Sequence, residues 1–319
     1  MWECVFALLG VDNHYATLIT HAWHLDAYFP HQSIMTRKST DRPSRRAYRY
    51  TPEKLKALWA KLHLTDREPW PGHTEIARAA HGMPEFTAWL REYGGAQKLA
   101  DALQVAWSVF HAGDFSHAVE LGAQLGALGA CVANRAAAVE SLYTRRGPQA
   151  IAKELLAAMQ RGAEAVAVLP HHPNAHYTLA LVLGRYSQRI SILKAISEGI
   201  AARVKSHLDQ ALALEPRHAE VHVALGLYHA EIVHKLGGIA ASFAYGVSAR
   251  AAIEHLQRAV ELAPRSPIVH MEYAYALQLL DAQRHRAEAE RLYREAAACE
   301  PLDAMEALDV DRAKRGLAA

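Results

Sequence analysis

Histidine is the residue type in this sequence whose spacing most readily suggests chemistry. His218, His222 and His229 are four and seven residues apart, so at about 100° per residue they fall on one face of a helix. Histidines one helical turn apart can ligate Zn²⁺, and a third on the same face would complete a metal site. One hypothesis is therefore a metal-dependent enzyme that uses this histidine face.

No other motif supports catalysis. The chain lacks a Gly-x-Ser-x-Gly nucleophile elbow, a phosphate-binding glycine loop and a His-Glu-x-x-His pair. Gly237-Gly238 is better explained as a bend between helices, and Cys131, in an alanine-rich stretch, as a small buried hydrophobic residue. The sequence favours a protein that is not an enzyme, with no catalytic residue, no metal and no cofactor.

The cysteine positions and the charge distribution indicate the cellular compartment and the kinds of partner to expect. Cys4, Cys131 and Cys299 form no paired motif, which favours a reducing, cytoplasmic location. No apolar run is long enough to predict a membrane span. Residues 37–49 hold six basic residues against one acidic residue, and the main body is close to neutral, so no nucleic-acid partner is expected. Met35 opens this basic stretch, so the sequence leaves open whether translation starts at Met1 or at Met35.

Two short regions precede the main body. Residues 1–50 are expected to be an N-terminal extension that ends in the basic arm, and residues 51–95 a short helical segment. Thr51-Pro52-Glu53 supplies a cap, a proline in the first turn and an acid near the helix start. The helix carries Trp59, which is expected to dock on the main body, and it ends before the turn at residues 68–72.

The main body, residues 96–319, is built from similar helical segments. Four of them close with a proline after an alanine-containing run, at Pro170, Pro216, Pro264 and Pro301, with spacings of 46, 48 and 37 residues. In-phase copies of one segment indicate a repeat architecture. The pattern resembles the tetratricopeptide repeat (TPR) family, whose units are about 34 residues long.

An earlier unit carries the same signature. A helix, the turn Ala112-Gly113-Asp114-Phe115 and a second helix place Ala106 and Ala118 where the two helices of a TPR hairpin touch. The sequence of residues 225–263 also resembles the regulator-of-microtubule-dynamics type of repeat protein and its bacterial relatives. These resemblances imply an all-α, TPR-like α-solenoid of four to five helix hairpins with a capping helix at residues 303–317.

The repeat register offers a second explanation for the histidines. His176, His222 and His270 are each the fourth residue of the first helix in three successive units, where the TPR family has a large packing residue. For these histidines the register favours packing and hydrogen bonding between neighbouring hairpins over metal binding.

Two units exceed the family length because of inserts between their first and second helices. The inserts, residues 186–200 and 232–247, are apolar and rich in small residues, unlike loops that tolerate insertion passively. They suggest an alternative function, a small-molecule or lipid carrier with a closed pocket inside the inserts. The pocket would be lined by Ile190, Ile196, Ile239, Phe243 and Tyr245.

The TPR resemblance also implies a binding groove. In that family the helix pairs stack into a right-handed superhelix, and the first helices line a concave groove. The implied lining is mixed and rather apolar, so we expect a non-catalytic scaffold that binds a protein or peptide partner through an apolar helix or extended peptide, provided that the inserts do not fill the groove. The implied groove residues are Asn174, Tyr177, Leu181, Arg185, Glu220, Val223, Leu227, Glu231, Met271, Tyr275 and Gln278.

Overall fold

The structure, a computed structural model, describes residues 48–81, 83–143, 147–190, 194–195 and 198–318. Most of the expected N-terminal extension lies outside these ranges, as does Ile196. Regular structure in the described ranges is entirely helical, which confirms the predicted all-α class, and no described helix is long and apolar enough to cross a membrane. The helices are α1 Pro52–Leu62, α2 His73–Ala80, α3 Pro84–Tyr93, α4 Ala96–His111, α5 Phe115–Ala123, α6 Gly126–Tyr143, α7 Pro148–Val168, α8 Pro173–Ser187, α9 Ile200–Leu214, α10 Ala219–Leu236, α11 Gly238–Tyr245, α12 Ala249–Leu262, α13 Pro267–Asp281, α14 Arg286–Ala297 and α15 Ala304–Leu317.

Within the described ranges, five helix hairpins follow one another along the chain. α4 pairs with α5, α6 with α7, α8 with α9, α10 with α12 and α13 with α14. First helices also pack on one another, α6 on α8 and α10 on α13, as stacked repeats do. This arrangement is the TPR-like α-solenoid that the in-phase prolines predicted.

Small residues stand at the hairpin cores. Ala106 of α4 and Ala118 of α5 are fully buried in one hydrophobic core. Where α10 meets α12, a Cβ at Gly226 would come within 2.5 Å of the Cγ of Leu256, so this helix pair requires a glycine. The small residues that recur in the repeats therefore set the distance between the two helices of a hairpin.

The three histidines in register form three copies of one joint. Each places Nε2 against the carbonyl oxygen of the closing proline six residues earlier, at 2.9 Å for His176, 3.3 Å for His222 and 2.8 Å for His270. Nδ1 of His176 and Nδ1 of His222 each face a histidine on the second helix of the same hairpin, at 3.2 Å and 3.0 Å. These contacts are the hydrogen bonding between neighbouring helices that the repeat register suggested for the three histidines.

The inserts depart from the regular hairpin. The second insert extends α10 to Leu236 and adds the short α11, on which Ile239 and Phe243 are 84% and 88% exposed. In the described part of the first insert, α8 ends at Ser187, Ile190 is partly buried, and the next long helix is α9.

The two ends of the described chain meet on α4. Trp59 of α1 packs edge-on against Trp107 of α4, with ring centroids 5.8 Å apart. Leu308 of α15 lies in the same core, and the Tyr50 hydroxyl donates to the carbonyl oxygen of Leu302 just before α15. α15 packs on α13 and α14, as a capping helix does, but it also returns to the first hairpin instead of only closing an open stack.

Candidate functional site

The chain between α1 and α2 organises the candidate site. We call residues 63–70 the connecting segment. It departs from helical geometry at Arg67, which has a positive φ of 55°, and Pro69 lacks a backbone donor. The indole Nε1 of Trp59 donates to the carbonyl oxygen of Glu68 over 2.8 Å and holds the segment back against α1.

Asp66 is the charged centre of the connecting segment. Its Oδ1 lies 2.9 Å from Nδ1 of His63, and its Oδ2 accepts from Nη1 of Arg135 over 2.9 Å. Burial alone would raise the pKa of Asp66, but the neighbouring His63 and Arg135 outweigh it and hold that pKa well below its usual value. Asp66 is therefore a buried carboxylate whose charge is matched by partners.

Arg135 on α6 links the connecting segment to α10. Its Nη2 donates to Oε1 of Glu220 over 2.6 Å, and the same oxygen accepts from the Thr65 hydroxyl over 2.6 Å. The Tyr177 hydroxyl donates to Oε2 of Glu220 over 2.7 Å. Burial, with the nearby Glu220, raises the pKa of Tyr177 well above its usual value, so the hydroxyl remains a donor.

Asn174, in the first turn of α8, binds the backbone of the segment. Its Nδ2 donates to the carbonyl oxygen of Asp66 over 2.9 Å and to Oε2 of Glu68 over 2.7 Å. The backbone N–H of Val221 donates to Nδ1 of His218, so Nε2 of His218 carries the proton and donates to Oδ1 of Asn174 over 2.8 Å. Burial lowers the pKa of His218 to about 4, which keeps this ring neutral.

A metal-ligand set adjoins these contacts. Within the described ranges, Glu68, Cys131 and His172 each place one ligand atom within 4.8 Å of the others. Burial and the nearby Asp66 raise the pKa of Glu68 to about 8. Burial also raises the pKa of Cys131 well above its usual value and lowers the pKa of His172 to about 4. These are the described residues that could hold a metal ion.

A chain of side chains joins the connecting segment to α15. Nε2 of His63 lies 3.3 Å from Nε2 of His111 on α4, and Nδ1 of His111 lies 2.7 Å from Oδ2 of Asp303. Asp303 also caps α15, because its Oδ1 accepts from the backbone N–H of Glu306 over 2.8 Å. Burial lowers the pKa of His111, which lies between His63 and Asp303.

α15 lies over the C-terminal half of the predicted groove. Nη1 of Arg312 on α15 is 3.3 Å from Oε1 of Glu272 on α13, and these side chains are only 12% and 9% exposed. Burial raises the pKa of Tyr275, and the nearby Glu231 and Glu272 raise it further. Burial lowers the pKa of Arg185, which Glu272 opposes. This half of the groove is a second buried polar region.

The structure distributes the predicted groove residues over different environments. Six lie in the two polar regions, four are buried or partly buried in packing between helices, and one is exposed. The surface expected to receive a partner is covered by the connecting segment and α15. The six are Asn174, Tyr177, Glu220, Arg185, Glu231 and Tyr275, the four are Leu181, Val223, Leu227 and Met271, and the exposed residue is Gln278.

The residues proposed for an insert pocket do not converge. Ile239 and Phe243 on α11 are among the most exposed large apolar side chains, and Tyr245 is 37% exposed. Ile190 packs against a core of the second and third hairpins, and Ile196 lies outside the described residues. α11 packs on α10 through the buried Ala241, and its side chains of Ile239 and Phe243 face solvent.

The histidines first considered as a metal face serve separate contacts. His218 caps α10, and His222 contacts the Pro216 carbonyl oxygen. Nδ1 of His229 accepts from the backbone N–H of Ser248 over 3.1 Å. The ring nitrogens of the three histidines therefore contact different partners. Their spacing on one helix does not bring them together as ligands of one metal ion.

Sequence reasoning placed Asn174, Tyr177 and Glu220 in a groove, but it did not identify the connecting segment or Arg135 as their partners. Asp66 and Glu68 stand in a polar stretch before a proline turn, a composition typical of solvent-exposed loops. One signal was present in α6, where Arg135 and Glu140 are the only charged residues of an otherwise small and apolar helix. A charged residue in such a helix indicates a buried partner.

The stacked hairpins and the groove across them define a TPR-like helical-repeat protein. A family model described as regulator of microtubule dynamics protein 1-3 matches residues 132–314. The match covers more than half of the sequence, and the chain belongs to this family.

The comparisons with individual proteins give weaker similarity than the family model. No curated protein matches the sequence significantly. Among solved structures, the chain is similar to a thermophilic TPR protein from Thermus thermophilus, with 17% identity, a TM-score of 0.49, and coverage of 68% of this chain and 98% of that chain.

Proposed function

We propose that this chain is a non-catalytic protein-interaction scaffold whose groove binds an acidic peptide of a partner protein in place of the connecting segment. The supporting observation is that a segment of the same chain, which continues α1 as a turn at residues 63–66, already lies in the groove. The backbone N–H of Glu220 donates to the Thr65 carbonyl oxygen over 3.1 Å, and Asn174 donates to the Asp66 carbonyl oxygen. These contacts use only the backbone of the bound segment, so another peptide can make them.

Arg135 would supply the charge selectivity. Its side chain is 13% exposed and its guanidinium pairs with the Asp66 carboxylate. This charge-assisted contact favours a peptide with an acidic residue at that position. The apolar residues expected in the groove, such as Val223 and Met271, are used in packing between helices. The remaining lining therefore favours an acidic peptide over the apolar peptide that the sequence suggested.

A peptide-exchange experiment tests this proposal. Asp66→Ala weakens the hold on the connecting segment and leaves Arg135 able to accept an acid from elsewhere. A fluorescent peptide that spans residues 61–72 is titrated against the full chain by anisotropy. We expect it to bind the variant at least about tenfold more tightly than the wild type, the effect of about 1.4 kcal/mol.

Two controls make the result specific. Asp101→Ala removes an exposed acid on α4 and should bind the peptide no better than the wild type. A peptide in which Asp66 is replaced by alanine should not bind the Asp66→Ala chain. Peptide binding that is absent from a correctly folded Asp66→Ala chain, or equal for both variants, would contradict the proposal.

A further inference from the structure

Three ligand-type side chains from three elements meet beside the connecting segment. Glu68 belongs to the segment, Cys131 to α6, and His172 directly precedes α8. One ligand atom of each lies within 4.8 Å of the other two. Their positions, 63 and 41 residues apart in the chain, show that the fold and not a local motif assembles them.

One of these side chains is buried and the other two are partly buried, and one of them is incompletely satisfied. Cys131 is 1% exposed, and the side chains of Glu68 and His172 are 8% and 15% exposed. Nδ1 of His172 is buried without a hydrogen-bond partner among the described residues, and its Nε2 is 3.9 Å from Oε1 of Glu68, too far for a hydrogen bond. The gap between Nε2 of His172 and Oε1 of Glu68 therefore leaves these two atoms facing each other without a direct hydrogen bond.

The carboxylate of Glu68 is already oriented. Its Oε2 accepts from Nδ2 of Asn174, whose Oδ1 accepts in turn from His218. Hydrogen bonds of this outer type fix the orientation of metal-binding carboxylates. They leave Oε1 of Glu68 on the side of His172.

We propose that Glu68, Cys131 and His172 bind one Zn²⁺ ion. A thiolate, an imidazole and a carboxylate are donors that Zn²⁺ takes, whereas Ca²⁺ and Mg²⁺ prefer oxygen ligands. With bonds of about 2.0–2.3 Å, the ligand atoms of a tetrahedral site stand about 3.5 Å apart, so side-chain movements of roughly 1 Å complete it. Three protein ligands leave the fourth position to water.

Charge and topology fit this assignment. On binding, the Cys131 thiol and the Glu68 carboxyl group each lose a proton to solvent, and the resulting thiolate and carboxylate together match the charge of the ion, so the buried site becomes neutral. The ion would fasten the connecting segment to α6 and to the start of α8. The inference goes beyond the proposed function, because its test measures metal binding and no peptide.

Cobalt titration of the full chain tests the site. Co²⁺ replaces Zn²⁺ in tetrahedral sites, and its bond to a thiolate gives a charge-transfer absorption. After treatment with a chelator, we expect one equivalent of Co²⁺ to produce this absorption and one equivalent of Zn²⁺ to abolish it. Cys131→Ser should remove the absorption, and the double variant Cys4→Ser/Cys299→Ser, which retains Cys131, should keep it.

A second pair of variants covers the case in which Cys131→Ser does not fold. His172→Gln should weaken Zn²⁺ binding by more than about 100-fold, beyond the usual effect of losing an outer-shell partner. His171→Gln changes the exposed neighbouring histidine and should bind as the wild type does. The proposal is overturned if the wild type gives no thiolate absorption, if that absorption depends on Cys4 or Cys299, or if a folded His172→Gln chain binds Zn²⁺ unchanged.

Discussion

The connecting segment and α15 cover the two halves of one groove by different means. The segment is held by ion pairs and hydrogen bonds centred on Asp66, Arg135 and Glu220. α15 also buries apolar side chains, including Leu308 and Val310, both 4% exposed. Polar contacts can be exchanged for equivalent contacts from another peptide, whereas apolar burial is lost whenever a helix leaves. The N-terminal half is thus the half suited to exchange.

Loss of Arg135 should have the largest effect on the segment half. Arg135→Ala leaves the buried Asp66 and Glu220 carboxylates without their shared cation, so we expect the free energy of unfolding to fall by about 3–5 kcal/mol. Urea unfolding followed by circular dichroism measures this change. Arg258→Ala, which breaks an exposed ion pair with Glu261, should change stability by at most about 0.5 kcal/mol. Equal effects for the two variants would show that the Arg135 network is not a buried one.

Truncation of Leu308 probes the α15 half. Leu308→Ala creates a cavity in the core shared by α15 and α4, which should destabilise the chain by about 3 kcal/mol. Leu317→Ala on the same helix removes a side chain that is 40% exposed and should cost less than about 0.5 kcal/mol. Thermal unfolding distinguishes them. If Leu308→Ala were as mild as Leu317→Ala, α15 would be as exchangeable as the segment.

Acid should weaken the segment half selectively. Burial lowers the pKa of His218 from 6.5 to about 4, so below about pH 6.5 the unfolded chain takes up a proton that the folded chain excludes. The stability from this neutral ring is complete above about pH 6.5 and is lost as the pH falls towards 4. Between pH 6.5 and pH 5 the loss is about 1.6 kcal/mol.

The matched variant for this acid effect is His218→Asn. Asparagine can still cap α10 but does not titrate, so the melting temperature of the variant should fall less than that of the wild type between pH 6.5 and pH 5. Parallel pH profiles for the two proteins would show that His218 does not carry the acid sensitivity.

The exposed insert should contribute least to stability. Ile239→Ser and Phe243→Ser change side chains of α11 that are 84% and 88% exposed, so each should alter the free energy of unfolding by no more than about 0.5 kcal/mol. Phe115→Ser, at a position 4% exposed, should cost several kcal/mol, about 3–5 for loss of a buried aromatic ring. A large loss at Phe243 would mean that α11 is packed in solution, as an insert pocket requires.

The repeat framework could be read from the sequence because its determinants are local and periodic. Closing prolines, small residues at helix contacts and histidines in register each recur at fixed places. The contact of Gly226 with Leu256 follows from the spacing within one hairpin, and the contact of His176 with the Pro170 carbonyl oxygen follows from the six-residue spacing across the joint between two units. Periodic apolar burial then determines that the hairpins stack.

What occupies the groove was decided by the tertiary structure alone. Asp66 meets Arg135 across 69 residues of sequence and reaches Glu220 through it, and Glu68 meets Cys131 and His172 in the same way. No local period relates these positions, and Asp66 and Glu68 have the composition of a solvated loop. Their roles depend on the path that the stacked hairpins give to α6, α8 and α10, which is why the sequence predicted a groove while only the fold identified the segment within it.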